Sequence, residues 1–154
     1  CDTTVITAWS DGRKFSFRPG DEASASATTA MPARGQILLE PSPALMKAAP
    51  FKLICERYDS SMLHPNTHLY TSATLPTGFP GKAYKIDEVL PYSSANIKRI
   101  ARSKLNADVA VRNFPISADA LRSRLGIKKS GETRIAGITA CDGNQYLLFL
   151  SATA

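Results

Sequence analysis

The chain is 154 residues long, 44% hydrophobic and 21% charged, a balance that lets one domain, or two small ones sharing a core, fold in water. No apolar run approaches the ~20 residues needed to cross a bilayer, and residues 1–10 lack the basic head and apolar stretch of a signal peptide, so the expectation is a cytoplasmic chain without membrane contact. The formal charge of +6 is unevenly placed: residues 98–134 carry ten basic and three acidic side chains, a local +7, while the remainder is close to neutral.

The chain opens at Cys1 rather than Met and runs at once into "TTVITAW", which reads as a piece of a longer protein. In "TTVITAWSDGRKFSFRP" the alternation predicts two strands, with Val5, Thr7 and Trp9 on one face and Phe15 and Phe17 in the second strand. Asp11-Gly12 between them is a tight hairpin signal, because both central residues of the turn need positive φ. "DEASASATTAMPARG" is small, polar and Gly/Pro-bounded, and predicts a loop. "QILLE" predicts a short strand. "PSPALMKAAPFKLICERYD" predicts a helix with Ser42 as cap, Pro43 at its first position and one face of Leu45, Met46, Ala49, Leu53 and Ile54. Pro50 lacks an amide donor and predicts a kink or restart. "HLYTS" predicts a strand, and "LPTGFPG" marks a boundary near residue 82.

Beyond that boundary, "KAYKIDEVLPY" alternates as a half-buried strand. "SSANIKRIARSKLN" is an amphipathic helix with Ile97, Ile100, Ala101 and Leu105 inward and Lys98, Arg99 and Arg102 outward. "DVAVRNFP" is a strand with Val109 and Val111 on one side. "SADALRSRLG" is a short helix capped by Ser117 and closed by Gly126, and "TRIAGITACDGNQYLLFLSA" is a hairpin around Asp142-Gly143. The order is β-α-β-α-β-β. The fold class is therefore α+β, in two small subdomains spanning residues 1–82 and 83–154, without an internal repeat.

Few residues offer catalytic chemistry. Cys1, Cys55 and Cys141 form no C-x-x-C pair, and Cys55 and Cys141 read as buried, inert thiols. His64 and His68 lie four apart, but Pro65 disfavours a helix through them and a zinc site needs a third or fourth ligand. The alternative is turn chemistry, with His64-Pro65-Asn66 forming a bend whose ring nitrogens bond the backbone. The adjacent acids Asp21-Glu22 and Asp87-Glu88 point to opposite faces if on strands. No G-x-S-x-G, G-x-G-x-x-G or G-x-x-x-x-G-K-[ST] occurs, so neither a nucleophile elbow nor a nucleotide cradle is visible.

The basic segment carries the functional lead. Lys98, Arg99 and Arg102 share a helix, Arg122, Lys128 and Lys129 follow from the next helix and its exit, Arg124 lies near that turn, and Arg112 sits on the strand between, where Asp108 or Asp119 could pair with it. Such residues could neutralise several phosphates of a nucleic acid; equally, they could form an ordinary solvated face. Tyr92 and Phe114 are close in sequence and could stack on bases, though Phe114 fits a core position.

Four stretches, "ILLEPSPALMKAAPFKLICERY", "LHPNTHLYTS", "FPGKAYKIDEVLPY" and "VRNFPISADALRSRLGI", resemble in this order the C-terminal part of bacterial, Bacteroidetes-type class I S-adenosylmethionine-dependent methyltransferases. The resemblance covers residues 36–130 well. It implies a ferredoxin-like segment followed by a THUMP-like domain, an accessory region without catalytic activity of its own, and RNA as partner. It places S-adenosylmethionine in a separate N-terminal catalytic domain, with no cofactor held by this chain. Under that reading Lys98, Arg99, Arg102, Arg112, Arg122, Lys128 and Lys129 are the expected phosphate contacts, with no catalytic or metal-binding residue. The competing expectation is a structural or protein-interaction module that positions the catalytic domain.

Overall fold

The computed structural model describes residues 4–153, so Cys1 lies outside the described residues. The first two strands, β1 (Ile6–Ser10) and β2 (Arg13–Phe17), form a separate two-stranded sheet joined through Asp11 and Gly12, whose φ values of 49° and 76° are what a two-residue hairpin requires. Val5, Thr7 and Trp9 share the face turned away from the core. Ala8 is buried with its cross-strand partner Phe15, and Trp9 is 63% exposed. Alternation alone does not say which face meets the core.

The polar stretch expected to be a loop starts with a helix, α1 (Pro19–Ser24). Its acids explain why. Asp21 accepts the backbone N–H of Arg18 (3.0 Å), and Glu22 accepts those of Lys52 (3.0 Å) and Leu53 (3.0 Å). These last two begin α3 (Phe51–Arg57), whose own cap position is Pro50, with no side-chain oxygen to offer. Glu22 thus caps a helix 30 residues downstream and satisfies donors that Pro50 leaves open.

Between them lie β3 (Ile37–Pro41) and α2 (Pro43–Ala48). Ser42 caps α2 by accepting from Leu45 N (3.2 Å), and Pro43 occupies its first turn. Ala49 turns left-handed, φ 62°, and the chain restarts as α3 at the interruption expected from Pro50. Leu45, Leu53, Ile54 and Cys55 are buried against Phe15, Phe17, Tyr70 and Phe79, whereas Ala49 faces solvent. Burial pushes the Cys55 thiol up, as suits an inert group; Cys141, by contrast, is exposed.

Next come β4 (Ser61–Met62), β5 (Tyr70–Ser72) and the 11-residue β6 (Gly81–Pro91). The chain then follows the expected order: α4 (Ser94–Ser103), β7 (Ala107–Arg112), α5 (Ala118–Arg124), β8 (Thr133–Thr139) and β9 (Gln145–Ala152). Ser117 caps α5 through Ala120 N (3.1 Å). The β8–β9 turn is longer than a two-residue hairpin: Ala140 and Asn144 still pair (3.0 Å), and Gly143 takes φ 82°.

Seven strands make one sheet in the order β4-β5-β3-β6-β9-β8-β7, antiparallel throughout except for β7 beside β8. The long β6 pairs with β3 on one side and β9 on the other, so the sheet runs without a break through the proposed boundary. Successive residues of β3 feed different cores: Leu39 joins the cluster under α2 and α3, and Leu38 joins the opposite face with Leu63, Leu69 and Ile86. A third cluster, around Ile100, Leu121, Leu125, Ile135 and Leu147, lies beneath α4 and α5. No helix among the described residues is long and apolar enough to cross a membrane.

Candidate nucleic-acid interface

The two histidines share neither a helix nor a common ligand direction. His64 Nδ1 accepts the N–H of Asn66 (3.0 Å) and its carbonyl accepts that of Thr67 (3.1 Å), the bend expected from His64-Pro65-Asn66. Thr67 then donates to the Thr139 carbonyl (2.6 Å), fastening this turn to the end of β8. His68 is left-handed, φ 58°, and its ring stacks on Phe51 with centroids 4.2 Å apart. Among the described residues no group of three or more His, Cys, Asp or Glu could hold a metal.

Desolvation, and secondarily the Arg112 charge, lower the His68 pKa. A depressed histidine pKa means the unfolded chain binds more protons below its ordinary value of about 6.5. Stability is therefore full above that pH and falls as the pH drops through the interval down to the folded value. Urea titrations at pH 7 and pH 5 should show this acid loss, and His68→Asn, which tolerates positive φ, should reduce it.

The basic residues begin with α4. Ser93 accepts the N–H of Asn96 (3.3 Å), the side chain of Asn96 donates to the Pro91 carbonyl (2.8 Å), and Ile97 and Ile100 pack on the sheet. This leaves Lys98, Arg99 and Arg102 exposed. Lys98 and Arg102, four apart, project from one side about 6 Å apart along the axis. Arg99 diverges toward β6 and meets Glu88 at 3.4 Å.

The helix ends at Lys104, φ 52°, and α5 ends at Gly126, φ 66°. These two exits touch: a Cβ on Gly126 would lie 3.5 Å from Ala101 Cα. Between them opens a groove of about 510 Å³ with Lys104 on one wall and Lys128 and Lys129 on the other. The Lys129 carbonyl accepts the N–H of Ala107 (3.1 Å), which ties the loop to the start of β7. Lys98, Arg102, Lys104, Lys128 and Lys129 form no ion pair with any described residue. Lys104 was outside the expected contact set; its place at a helix exit, opposite another exit, is a property of the packing.

The remaining expected contacts are locally neutralised. Arg122 pairs with Asp119 at 3.1 Å on the exposed flank of α5. Arg112 pairs with neither Asp108 nor Asp119. It reaches Glu40 on β3 at 2.9 Å, because strand alternation turns it away from Val109 and Val111, which pack toward α4 and α5. Arg124 donates to the Tyr92 hydroxyl (2.7 Å), and the Tyr92 ring meets Phe114 edge-on at 4.9 Å. The groove therefore brings Lys128 and Lys129 of the expected set together with Lys104; Lys98 and Arg102 stand exposed on α4, and Arg99, Arg112 and Arg122 lie beside acids.

Among the described residues the strand-to-helix turns 18, 42, 92–93 and 113–117 contain no glycine, and Gly81, Gly131 and Gly137 are packed against protein atoms.

Sheet order, core and basic face together define an α+β chain of two successive modules on one sheet, and the comparisons give each a family. A ferredoxin-like domain matches residues 38–80, and a THUMP domain-like domain matches residues 81–152. The chain thus carries a ferredoxin-like domain followed by a THUMP-like domain. It is similar over 99% of its length to a putative methyltransferase from Porphyromonas gingivalis W83, with 32% identity and a TM-score of 0.89. The chain spans 39% of the length of that protein. No curated protein matches it.

Proposed function

We propose that this chain is a non-catalytic accessory region of an S-adenosylmethionine-dependent methyltransferase, and that it recruits and orients an RNA substrate for a separate catalytic domain. The observation that carries this reading is the groove at the joined exits of α4 and α5, where Lys104, Lys128 and Lys129 meet, with Lys98 and Arg102 exposed on α4 and none of the five paired with an acid among the described residues. The likeness to part of a methyltransferase and the THUMP-like domain support it as analogy. Cofactor binding and methyl transfer belong, on this reading, to the catalytic domain, and a cytoplasmic setting follows from the substrate.

Five phosphate contacts would make affinity fall with the 4.5 power of salt, on the order of 10²- to 10³-fold between 50 and 200 mM. Anisotropy titrations with a folded RNA should show that dependence, and Lys98→Glu with Arg102→Glu should weaken binding at least tenfold at low salt. Arg112, paired with the nearly buried Glu40, has a structural role on this reading, and Arg99 and Arg122, in exposed pairs with Glu88 and Asp119, are weaker phosphate contacts than the unpaired five. RNA retention indifferent to both salt and charge reversal would leave the positioning of the catalytic domain as the function of the whole chain.

A further inference from the structure

Single-stranded nucleic acid is held by planar groups that stack on its bases beside a charged track. Beside the joined helix exits, Tyr92 and Phe114 are already engaged with each other. Tyr92 stands edge-on to Phe114, and Phe114 packs into the core beneath α4 and α5. Arg124 is directed to the Tyr92 hydroxyl. The exposed Trp9 belongs to the separate β1–β2 sheet, where Lys14 lies 5.7 Å over its ring. What the basic face offers is four lysines and Arg102. A lysine ammonium is a compact charge on a flexible stem that meets phosphate from any direction and reads no base.

The groove adds a shape. Lys104 on one wall and Lys128 and Lys129 on the other can flank a phosphate ridge, with Lys98 and Arg102 continuing the charge along α4. A base-paired helix suits such a surface: its base faces are stacked inside, its major groove is too deep and narrow for side chains, and its two strands present a dense, regular set of phosphates.

Resting on the RNA-recruiting role above, we infer that the groove between the α4 and α5 exits binds the phosphate backbone of double-helical RNA, in preference to unpaired strands. The test is anisotropy of the 154-residue chain with a ~16-base-pair RNA duplex and with an unstructured RNA of equal nucleotide number, at several salt concentrations. The duplex should bind at least tenfold more tightly. Lys128→Gln with Lys129→Gln should lower the duplex salt slope by about two, and Trp9→Ala should change neither ligand. An unstructured strand bound as tightly as the duplex overturns the inference while the RNA-recruiting role stands. So does a duplex slope that ignores the two lysine substitutions. Failure to bind either RNA overturns both.

Discussion

Gly81→Ala should destabilise the chain by about 3 kcal/mol, near the top of the usual overpacking range. The added Cβ would lie 2.2 Å from the Glu40 carbonyl oxygen, 2.9 Å from Phe79 Cε1 and 3.0 Å from Pro41 Cα. Two of those atoms are backbone of the paired strand, so no side-chain rotation relieves the overlap. Relief requires β3 and β6 to separate, and their register from Ile37 to Pro41 is what carries the sheet from the ferredoxin-like domain into the THUMP-like domain. Urea unfolding should show the midpoint falling. A second transition should appear if the modules come apart before each unfolds. Gly20→Ala is the control: it lies in α1 with nothing within 4 Å of its Cβ, and should be neutral or slightly stabilising. An unchanged midpoint for Gly81→Ala would mean that the β3–β6 contact is not this close.

Glu40→Ala should cost about 2 kcal/mol, less than a fully buried pair because its partners keep some access to water. The Glu40 carboxylate is 16% exposed and faces Arg112 at 2.9 Å and Arg134 at 3.7 Å, whose side chains are 42% and 27% exposed. It joins β3 of the first module to β7 and β8 of the second across the sheet. Removing it leaves two guanidiniums facing each other without an acid. Removing Arg112 leaves Glu40 its second partner, so Arg112→Gln should cost clearly less. Thermal unfolding separates the cases: a 4–8 °C drop is expected for Glu40→Ala in a chain of this size. Equal drops for the two variants would show that Arg134 does not share the carboxylate.

Both effects arise where distant segments meet, and there the amino-acid sequence is least legible. Ser42 and Ser117 announce their helices because an N-cap bonds a residue three ahead. Asp11-Gly12 announces its hairpin because the positive φ it needs is local. Glu22 gives no such signal for α3, since its partners lie 30 residues on. The hairpin alternation showed two faces without saying that Ala8, not Trp9, meets the core.

The basic face divides in the same way. Its charge, and the helical spacing of Lys98 and Arg102, are legible in the chain. Which cations remain free is not: Arg112 finds Glu40 72 residues away, and Arg99 finds Glu88 across the β6–α4 turn. By itself the sequence determined the succession of elements beyond residue 82, the serine helix caps, the Asp11-Gly12 turn and the local excess of charge, because each depends on neighbours within a few positions. Only the tertiary structure decided the continuous sheet, the cap that Glu22 supplies to α3, and the groove where Lys104 meets Lys128 and Lys129. Those depend on which surfaces pack together, and packing joins residues that the chain keeps far apart.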